Sequence, residues 1–469
     1  MSRARPPLPP KPPARPDRVS LWRHLQLFRR DILSSQPARL YRAWMAEFRT
    51  PFFRSYLVNQ PDLLRLILRE RPRDFPKSNR IREGLAPLLG NSVFVTNGTE
   101  WERQRRIIDP ALEGTARLRA VFPQMRAAGL AASARLFAEA RQGDAQGCRP
   151  VEIEAHTAHA AADVIFRTLF SIPITDRTAA AVFKAFRDHQ RAQPLLNLAA
   201  FLPLPRWMPR FHGRRTRQTA RVIRGLIAGL VEERRRVIAA GCAPDDLATR
   251  IMTTPDPETG SLFSPEEMVD QVAIFFLAGH ETSASALAWA LYLVALYPEW
   301  QERLAEEARA VLGQDEDFGF AAATRLKLSR DVFREALRLY PPVPMMVREN
   351  IRPERFRNRD IAPGAQIVLS PWHLHRHERL WERPDVFDPA RFETENGRAC
   401  LREAWLPFSA GPRVCPGAGF AMLEGPLILS ILLRDLRFQP VENRSARPVA
   451  QLTVRAQSGL WLFVTPRYN

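Results

Sequence analysis

One apolar stretch near the middle of the chain constrains the fold most strongly. Residues 272–294 read VAIFFLAGHETSASALAWALYLV, which is apolar except for a short polar interruption. Upstream, Ser264 begins SPEE, with proline at the first helical position and glutamate three residues after the cap, which predicts a helix start. The pattern runs to Tyr297, and Pro298 ends it. The sequence therefore predicts one long, mostly buried helix.

The polar interruption, His280-Glu281-Thr282, lies in the middle of this apolar stretch. Burying an ionised carboxylate is costly unless it is paired or protonated, so a function is expected for these residues. A membrane span would need about 20 apolar residues, but an acidic group at the bilayer centre costs about 2.5–3.5 kcal/mol. The sequence shows no second span. It predicts a helix through the centre of a large domain and no transmembrane anchor.

The composition indicates a globular protein with a basic surface. The chain has 469 residues, 45% apolar and 25% charged, which is enough for a large core. The net charge of +19 favours an acidic partner, but no zinc finger, RNP-like strand or isolated basic helix points to nucleic acid. The four cysteines form no C-x-x-C pair, and the N-terminus lacks the apolar core of a signal peptide. A cytoplasmic location is therefore expected.

Helical patterns greatly outnumber strand patterns along the chain. We therefore predict a mainly α fold with small β-sheets, in which a Pro/Arg-rich, extended and mobile tail over residues 1–18 precedes a single domain over 19–469. The ranges with a local pattern are a strand at 52–58, a helix at 61–70, mostly helix from 99 to 313 with a loop at 204–216, turns from 341 to 400, a helix at 417–434 and paired strands at 448–465.

The segment Phe408–Gly417, FSAGPRVCPG, places one cysteine among glycine, proline and arginine. Glycine lets the backbone approach another group closely, and Arg413 favours the thiolate form of Cys415. A buried structural cysteine is the alternative, and the loop composition weighs against it. The segment resembles the haem-binding loop of the cytochrome P-450 superfamily, Phe-x-x-Gly-x-Arg-x-Cys-x-Gly, and matches it at Phe408, Gly411, Arg413, Cys415 and Gly417.

This resemblance implies the cytochrome P-450 fold of the soluble bacterial type. Haem b, which is iron protoporphyrin IX, would lie between the long central helix and the cysteine loop. Cys415 would be the metal ligand, as the axial thiolate of the haem iron. Arg413 would pair with a haem propionate, Phe408 would shield the sulfur, and Gly417 would complete the cofactor-binding loop.

Glu335 and Arg338 in DVFREALRLYPPVP are helical neighbours. Alone they predict no more than a surface ion pair, which contributes little to stability. With the segment FDPARF at 387–392, they resemble the second signature of the superfamily. The resemblance implies a buried structural network of Glu335, Arg338 and Arg391 that braces the cysteine loop.

Trp101 and Arg105 in TNGTEWERQRR lie on one face of a predicted helix. Thr99 and Glu102 would form a capping box at its start. A stacked surface pair is the alternative for the Trp–Arg spacing. The segment resembles the Trp-x-x-x-Arg helix of the superfamily, which implies that Trp101 and Arg105 both donate hydrogen bonds to a haem propionate.

His375 lies at the centre of WHLHRHERLW, in which three histidines alternate. On a strand, His373, His375 and His377 would share one face and could bind a metal ion. The resemblance implies instead that His375 donates to a haem propionate or to a nearby backbone group. By its position in the resemblance, Arg348 is another candidate for contact with a propionate.

The polar interruption of the central helix excludes one motif and resembles another. The zinc-protease motif H-E-x-x-H would need a histidine where the chain has Ala284. AGHETS resembles instead the central-helix signature of the superfamily. The resemblance implies that Glu281 and Thr282 are the catalytic acid–alcohol pair that delivers protons to dioxygen. Gly279 would leave room for dioxygen or substrate, and His280 is assigned no catalytic role.

The resemblance predicts a haem-thiolate monooxygenase that hydroxylates a small apolar substrate with O2. A fatty acid, terpenoid or carotenoid is expected, in a pocket lined by Ile274, Phe275 and Ala278. Electrons would come from a separate ferredoxin or flavodoxin and its NAD(P)H-dependent reductase, and the basic surface fits an acidic carrier. A peroxide-driven peroxygenase, another haem-thiolate enzyme of this fold and a non-catalytic haem-binding sensor are the alternatives. The acid–alcohol pair favours oxygen activation.

Overall fold

Helices make up most of the protein. The structure, a computed structural model, describes residues 8–49, 54–141, 149–192, 212–313, 316–444, 446–450 and 452–467. The helices in these ranges are α1 Leu21–Arg30, α2 Pro61–Arg65, α3 Asn79–Leu89, α4 Gly98–Leu112, α5 Thr115–Ala140, α6 Ile153–Phe170, α7 Arg177–Ala192, α8 Arg214–Ala239, α9 Leu247–Thr253, α10 Pro265–Leu296, α11 Pro298–Leu312, α12 Phe320–Ala323, α13 Lys327–Leu339, α14 Pro371–Leu374, α15 Glu395–Glu403 and α16 Ala418–Asp435.

Short strands form small sheets beside the helices. The strands are β1 Met45–Arg49, β2 Arg54–Val58, β3 Pro150–Glu152, β4 Met346–Glu349, β5 Glu354–Phe356, β6 Arg359–Ile361, β7 Gln366–Leu369, β8 Leu436–Pro440, β9 Pro448–Ala450, β10 Val454–Ala456 and β11 Trp461–Pro466. The sheet orders are β1-β2-β7-β4, β3-β11-β8, β9-β10 and β5-β6. Strands β2 and β7 pair in parallel, with Tyr56 opposite Ile367, and the other pairs are antiparallel.

The long central helix, α10, begins and ends where its sequence predicts. The Glu267 N–H donates to Ser264 Oγ at 3.2 Å, and the Ser264 N–H donates to Glu267 Oε2 at 2.8 Å, so the capping box is complete. The helix ends at Leu296, with Tyr297 as its C-cap. Helices α6, α8, α13 and α16 pack around it. Among the described residues, none of the helices has the length and apolarity that a membrane crossing requires.

The other local predictions agree with the structure in part. The helix predicted at 417–434 is α16, and the strands predicted at 448–465 are β9, β10 and most of β11. The helix predicted at 61–70 starts as α2 and continues as one π-helical turn over Leu66–Glu70. The loop predicted at 204–216 lies largely outside the described residues, and its last part already belongs to α8.

The capping box predicted at the start of α4 is absent. Asn97, not Thr99, is the N-cap residue, and its side chain makes no capping bond. The Asn97 amide is already engaged, because Oδ1 accepts from the Lys77 N–H at 3.0 Å and Nδ2 donates to Lys77 O at 3.0 Å. A long-range contact therefore overrides the local capping preference.

The described part of the N-terminal tail packs against the domain, which differs from the mobile tail predicted for residues 1–18. The Arg15 N–H donates to Gln36 O at 3.1 Å, and the Tyr340 hydroxyl donates to Pro10 O at 2.9 Å. Lys11 Nζ lies 2.5 Å from the Asp385 carboxylate. Backbone carbonyls and cationic side chains of this proline-rich segment thus bind the domain, which its composition alone does not predict. Residues 1–7 lie outside the described ranges.

Candidate active site

The cysteine loop is held in place by its own backbone. Gly411–Arg413 forms a 3-10 turn, and the Cys415 N–H donates to Phe408 O at 2.9 Å. Gly411 has φ of +67°, and a Cβ there would lie 1.9 Å from Leu68 O. Only glycine fits this position, because it tolerates positive φ and has no side chain. The turn therefore fixes where Cys415 stands at the start of α16.

Cys415 is deeply placed in the protein and yet keeps accessible surface. The sulfur is surrounded by protein atoms, and this burial raises the pKa of the Cys415 thiol. The Gly417 N–H and the Arg105 cation act in the opposite direction and favour the thiolate. Cys415 nevertheless keeps exposed surface. A deeply placed residue with accessible surface must border an internal space.

Four cations gather beside this loop, and we refer to Lys77, Arg105, Arg348 and Arg413 as the cationic cluster. Burial and then the three arginines hold the pKa of the Lys77 ammonium well below its usual value. Burial and then Arg413 lower the pKa of Arg348 to about 10. The Nε atoms of Arg348 and Arg413 are buried without a partner among the described residues. Like charges at this density require an anion.

Trp101 forms the aromatic surface of the cluster. Its ring lies 5.1 Å from the Arg413 guanidinium and 5.5 Å from Lys77 Nζ. Arg105, one turn along α4, donates from Nη1 to Val414 O at 2.7 Å and from Nε to Asp109 at 2.8 Å. Arg105 thereby ties α4 to the residue before Cys415. Asp109 pairs with Arg105, and burial lowers the pKa of Arg413 while Glu102 acts in the opposite direction, so two carboxylates face four cations.

The cationic cluster fits the two carboxylates of a haem. The sequence prediction named Arg105, Arg348 and Arg413, and the structure brings these three together. Lys77 was missed, because the residues that surround it are distant in the sequence and PKS is not distinctive by itself. Its only signal is the pairing of its backbone with that of Arg348, a contact that sequence alone does not show.

One face of α10 keeps accessible surface while most of the helix is buried. Ala278 is exposed, and Phe275, Gly279 and Thr282 are partly exposed. Residues spaced by three, four and seven lie on one helical face, so this face borders an internal space. Ile274, predicted to line the pocket, is only 4% exposed and belongs to the packed core. Phe275 and Ala278 lie on the exposed face, as a pocket lining requires.

Gly279 allows close helix packing, and the room for dioxygen predicted at this position stays a prediction. A Cβ at this position would lie 2.4 Å from Ile165 Cδ1 of α6. The absence of a side chain therefore lets α6 approach α10 at the edge of the exposed face.

The two residues of the acid–alcohol pair point in different directions. The Thr282 hydroxyl donates to Ala278 O at 2.5 Å, along the exposed face. Glu281 is buried, accepts hydrogen bonds from Gln190 Nε2 and from Thr453 Oγ1, and lies 3.5 Å from the Arg455 guanidinium. Burial raises the pKa of Glu281, and Arg455 opposes this shift.

The predicted network behind the cysteine loop is assembled in full. Arg338 donates from Nε and Nη2 to the two Glu335 oxygens at 2.7 and 2.8 Å, and Arg391 Nε donates to Glu335 Oε1 at 2.9 Å. The remaining guanidinium N–H groups donate to backbone carbonyls between residues 375 and 386. All three side chains are buried, so the fixed charges hold the segment between residues 375 and 386 by several bonds at once.

The whole-chain comparisons agree with this geometry. A family model described as Cytochrome P450 matches residues 13–462. The chain belongs to the cytochrome P450 family. Fold, monooxygenase class and haem with a cysteine thiolate ligand are thereby confirmed as predicted.

Relatives of this cytochrome P450 come from bacteria and animals. It is 32% identical over 429 residues to cyclooctat-9-en-7-ol 5-monooxygenase of Streptomyces melanosporofaciens, covering 90% of this chain and 87% of the relative. It is 28% identical to human cytochrome P450 4X1, covering 92% and 85% of the two chains. The crystal structure of the cytochrome P450DA heme domain superposes with a TM-score of 0.79 over 98% of both chains, at 22% identity, which shows the fold alone.

His375 of this P450 does not face the cationic cluster. Its Nδ1 donates to Arg338 O at 3.2 Å, and its Nε2 accepts from the Leu406 N–H at 2.7 Å. Both ring nitrogens are therefore used by backbone groups, which agrees with the second of the two predicted alternatives and not with a propionate contact. Burial lowers the pKa of His375 to about 3, which keeps the ring neutral.

The neighbouring histidines do not share a face. His373 lies in α14, next to the Ser370 hydroxyl, and its ring is 4.9 Å from that of Tyr41. His377 stacks on Trp44 at 4.4 Å. This segment is a helical turn rather than a strand, so the alternation in sequence does not align the three rings.

His280 is a buried neutral side chain. Burial lowers its pKa to about 3, its ring lies edge-on to Phe183 of α7 at 5.4 Å, and its Nε2 has no partner among the described residues. This position agrees with the absence of an assigned catalytic role.

Sequence analysis also missed a buried acid on α16. Glu424 Oε2 accepts from Ser283 Oγ at 3.1 Å, and Oε1 has no partner among the described residues. Burial raises the pKa of Glu424 to about 8. An acid in an apolar helix, AGFAMLEGPLILSILL, is the signal that could have revealed it.

Proposed function

We propose that Cys415 is the axial ligand of haem iron in a monooxygenase that hydroxylates a small apolar substrate. The observation that carries this assignment is that Cys415 keeps accessible surface directly beside the cationic cluster, where Arg105 donates to Val414 O. The cationic cluster and Trp101 hold the two propionates through guanidinium, ammonium and indole donors. Phe408, whose ring lies 5.9 Å from that of Trp405, and Gly417 complete the loop.

Haem with a thiolate ligand supplies the oxidising chemistry, because the thiolate favours O–O cleavage. The protein supplies the protons and the exclusion of water. Thr282 provides the hydroxyl of the exposed α10 face, and rotation about its side-chain bond would turn this donor from Ala278 O toward the internal space. Proton transfer from a positioned group contributes typically 10²–10⁴-fold in rate.

Glu281, which precedes Thr282 in the chain, pairs with an arginine at the protein surface. The side chain of Arg455 is 46% exposed, while that of Glu281 is 4% exposed, so this ion pair runs from solvent into the core. Burial raises the pKa of the Glu281 carboxyl and so favours its protonated form, while Arg455 acts in the opposite direction. Glu281 and Thr282 together therefore form the proposed path for protons.

The substrate is an apolar compound of the fatty acid, terpenoid or carotenoid type. Phe275 and Ala278 supply an apolar lining, and Thr282 is the polar side chain on that face. A relative at 32% identity is named for action on cyclooctat-9-en-7-ol, an unsaturated alcohol by its name. An apolar face with one hydroxyl suits a substrate that is held by packing rather than by charge.

Electrons come from a separate acidic carrier, a ferredoxin or flavodoxin with its NAD(P)H-dependent reductase, and the enzyme works in the cytoplasm. The net charge of +19 supports attraction of such a carrier. An exposed arginine stands near the cysteine loop: the Cα of Arg69 lies 3.2 Å from where a Cβ of Gly411 would be.

The test uses the haem-loaded enzyme with laurate, geranylgeraniol and β-carotene as probes. We expect at least one probe to shift the haem spin state and to yield a hydroxylated product with NAD(P)H, ferredoxin and reductase, but little product with hydrogen peroxide alone. Product formation with peroxide at an equal rate would favour the peroxygenase alternative. Absence of both a spin shift and turnover with all probes would contradict the proposed substrate class.

A further inference from the structure

A buried carboxylate on α10 joins three elements near the internal space. Asp270 is 8% exposed, and its Oδ1 lies 2.7 Å from Nη1 of Arg224 on α8. Its Oδ2 accepts from the Asn91 N–H, just after α3, at 2.7 Å. Helices α3, α8 and α10 therefore meet at one carboxyl group.

The C-terminus of α3 sits directly on this carboxylate. Gly90 has φ of +50°, and a Cβ there would lie 2.2 Å from Asp270 Oδ1. Arg224 Nη1 also donates to Leu88 O at 3.1 Å. A cation at a helix C-terminus is favourable for the unpaired carbonyls and the helix dipole. One guanidinium thus holds both the end of α3 and the carboxylate of α10.

The segment that follows α3, residues 91–97, crosses one end of the exposed α10 face. Gln271 Oε1 accepts from the Val93 N–H at 3.0 Å. Gln271, Phe275, Ala278 and Thr282 are spaced by four, three and four residues, so they lie along one side of the helix. The segment therefore covers the N-terminal end of the face that borders the internal space.

The same segment is tied to the cationic cluster on its other side. Lys77 Nζ donates to Val93 O at 2.6 Å and to Thr96 O at 3.2 Å. Residues 91–97 thus run between the cluster and Asp270. Movement of α8 away from α3 would break the bonds of Arg224 to Leu88 O and to Asp270, the carboxylate that also holds the Asn91 N–H at the start of this segment.

We propose that Arg224, through its bonds to Asp270 and to Leu88 O, is a latch that holds α8 against α10 and α3 and sets how fast apolar ligands enter and leave the internal space. The inference rests on the proposed function, because it takes this space as the haem and substrate cavity. The side chains are 30% and 12% exposed, so water can reach the pair and replace its bonds when the latch opens. Asp270 and Arg224 are positioning residues and touch no reacting atom.

The test compares Arg224→Gln with Arg221→Gln in the haem-loaded enzyme. Arg221 is exposed on the same helix, so the control has the same change of charge without the latch contacts. Stopped-flow absorbance follows binding and release of 4-phenylimidazole, which binds the haem iron directly. We expect both rate constants to rise about tenfold in Arg224→Gln, as loss of a charge-assisted contact would allow, with less than about a twofold change in Kd.

Unchanged rate constants in Arg224→Gln, or equal increases in Arg221→Gln, would overturn the latch. A change in Kd without faster binding would also overturn it, because that result indicates a damaged pocket. If Arg224→Gln does not hold haem, Asp270→Asn serves as the second variant with the same expectations. Failure of the wild-type enzyme to give any azole spectrum would contradict the proposed haem site and not the latch, so the two failures are distinguishable.

Discussion

Ser283 Oγ on α10 donates a 3.1 Å hydrogen bond to Glu424 Oε2 on α16. This bond joins the residue next to Thr282 to the helix that begins just after Cys415. Glu424 is 2% exposed, and burial raises its pKa to about 8, so the carboxyl is largely protonated at neutral pH. A neutral acid accepts the serine hydrogen bond without burying a charge.

Glu424→Gln should change how stability depends on pH. The folded-state pKa of about 8 is above the ordinary 4.5, so the stabilisation from the bound proton is complete below pH 4.5 and is lost as pH rises to 8. The glutamine variant lacks this loss. Between pH 4.5 and 8, its free energy of unfolding should therefore rise relative to that of the wild type by about 1.4 kcal/mol per pH unit. Urea unfolding of both proteins from pH 5 to 8 measures the difference. If the free energies of unfolding of the two proteins changed in parallel with pH, the predicted role of Glu424 would be wrong.

Thr282→Ala should retain haem but waste electrons. Removing the hydroxyl leaves the α10 backbone unchanged while the exposed face loses its proton donor. We expect product formed per NAD(P)H consumed to fall by roughly tenfold or more, with hydrogen peroxide released instead. The Thr282→Ser variant keeps a hydroxyl and should stay near the wild type. Tight coupling in Thr282→Ala would refute the role of this side chain.

Glu335→Gln should destabilise the fold strongly. It leaves the Arg338 and Arg391 charges buried without their carboxylate, a change that costs about 3–5 kcal/mol. Asp331→Asn on the same helix removes the partner of Arg334 in a more exposed pair and should cost less than about 1 kcal/mol. Urea unfolding of the haem-loaded proteins compares the two. Equal and small losses of unfolding free energy in the two variants would show that the Glu335 charge does not stabilise the fold in this way.

Arg69→Glu should slow electron delivery by an acidic ferredoxin. Arg69 is exposed and its backbone borders the cysteine loop. Reversing its charge weakens the attraction of the carrier, so the rate of electron delivery should fall about tenfold at low salt. Added salt screens this effect. Arg355, 72% exposed on β5, provides the matched charge reversal at another site. Equal effects of the two variants, or a salt-independent turnover rate, would rule out this docking surface.

Local patterns in the sequence carry much of the fold. The SPEE capping box and Pro298 delimit α10 because both signals act within one turn of helix. The Glu335–Arg338 spacing predicts an ion pair. The third residue of the network, Arg391, follows only from the resemblance to a family. Where a distant residue competes, the local signal fails. At the start of α4, the N-cap is Asn97 instead of Thr99, and the Asn97 side chain bonds the Lys77 backbone.

Contacts between distant segments were not predictable in the same way. Lys77 joins the cationic cluster, and Asp270 joins α3 to α8, only because the fold brings together residues that lie far apart in the chain. His375 was placed by its position in a motif, but Leu406, 31 residues later, uses its second ring nitrogen. Single-sequence patterns contain no information about such partners.

The carbon monoxide spectrum of the reduced enzyme tests the central claim, that Cys415 supplies the thiolate to haem iron. We predict a thiolate-type spectrum for the wild type and for the Cys148→Ser, Cys242→Ser and Cys400→Ser variants. Cys415→Ser should bind haem without that spectrum or lose haem altogether. A thiolate-type spectrum in Cys415→Ser, or its loss in one of the other three variants alone, would contradict the account.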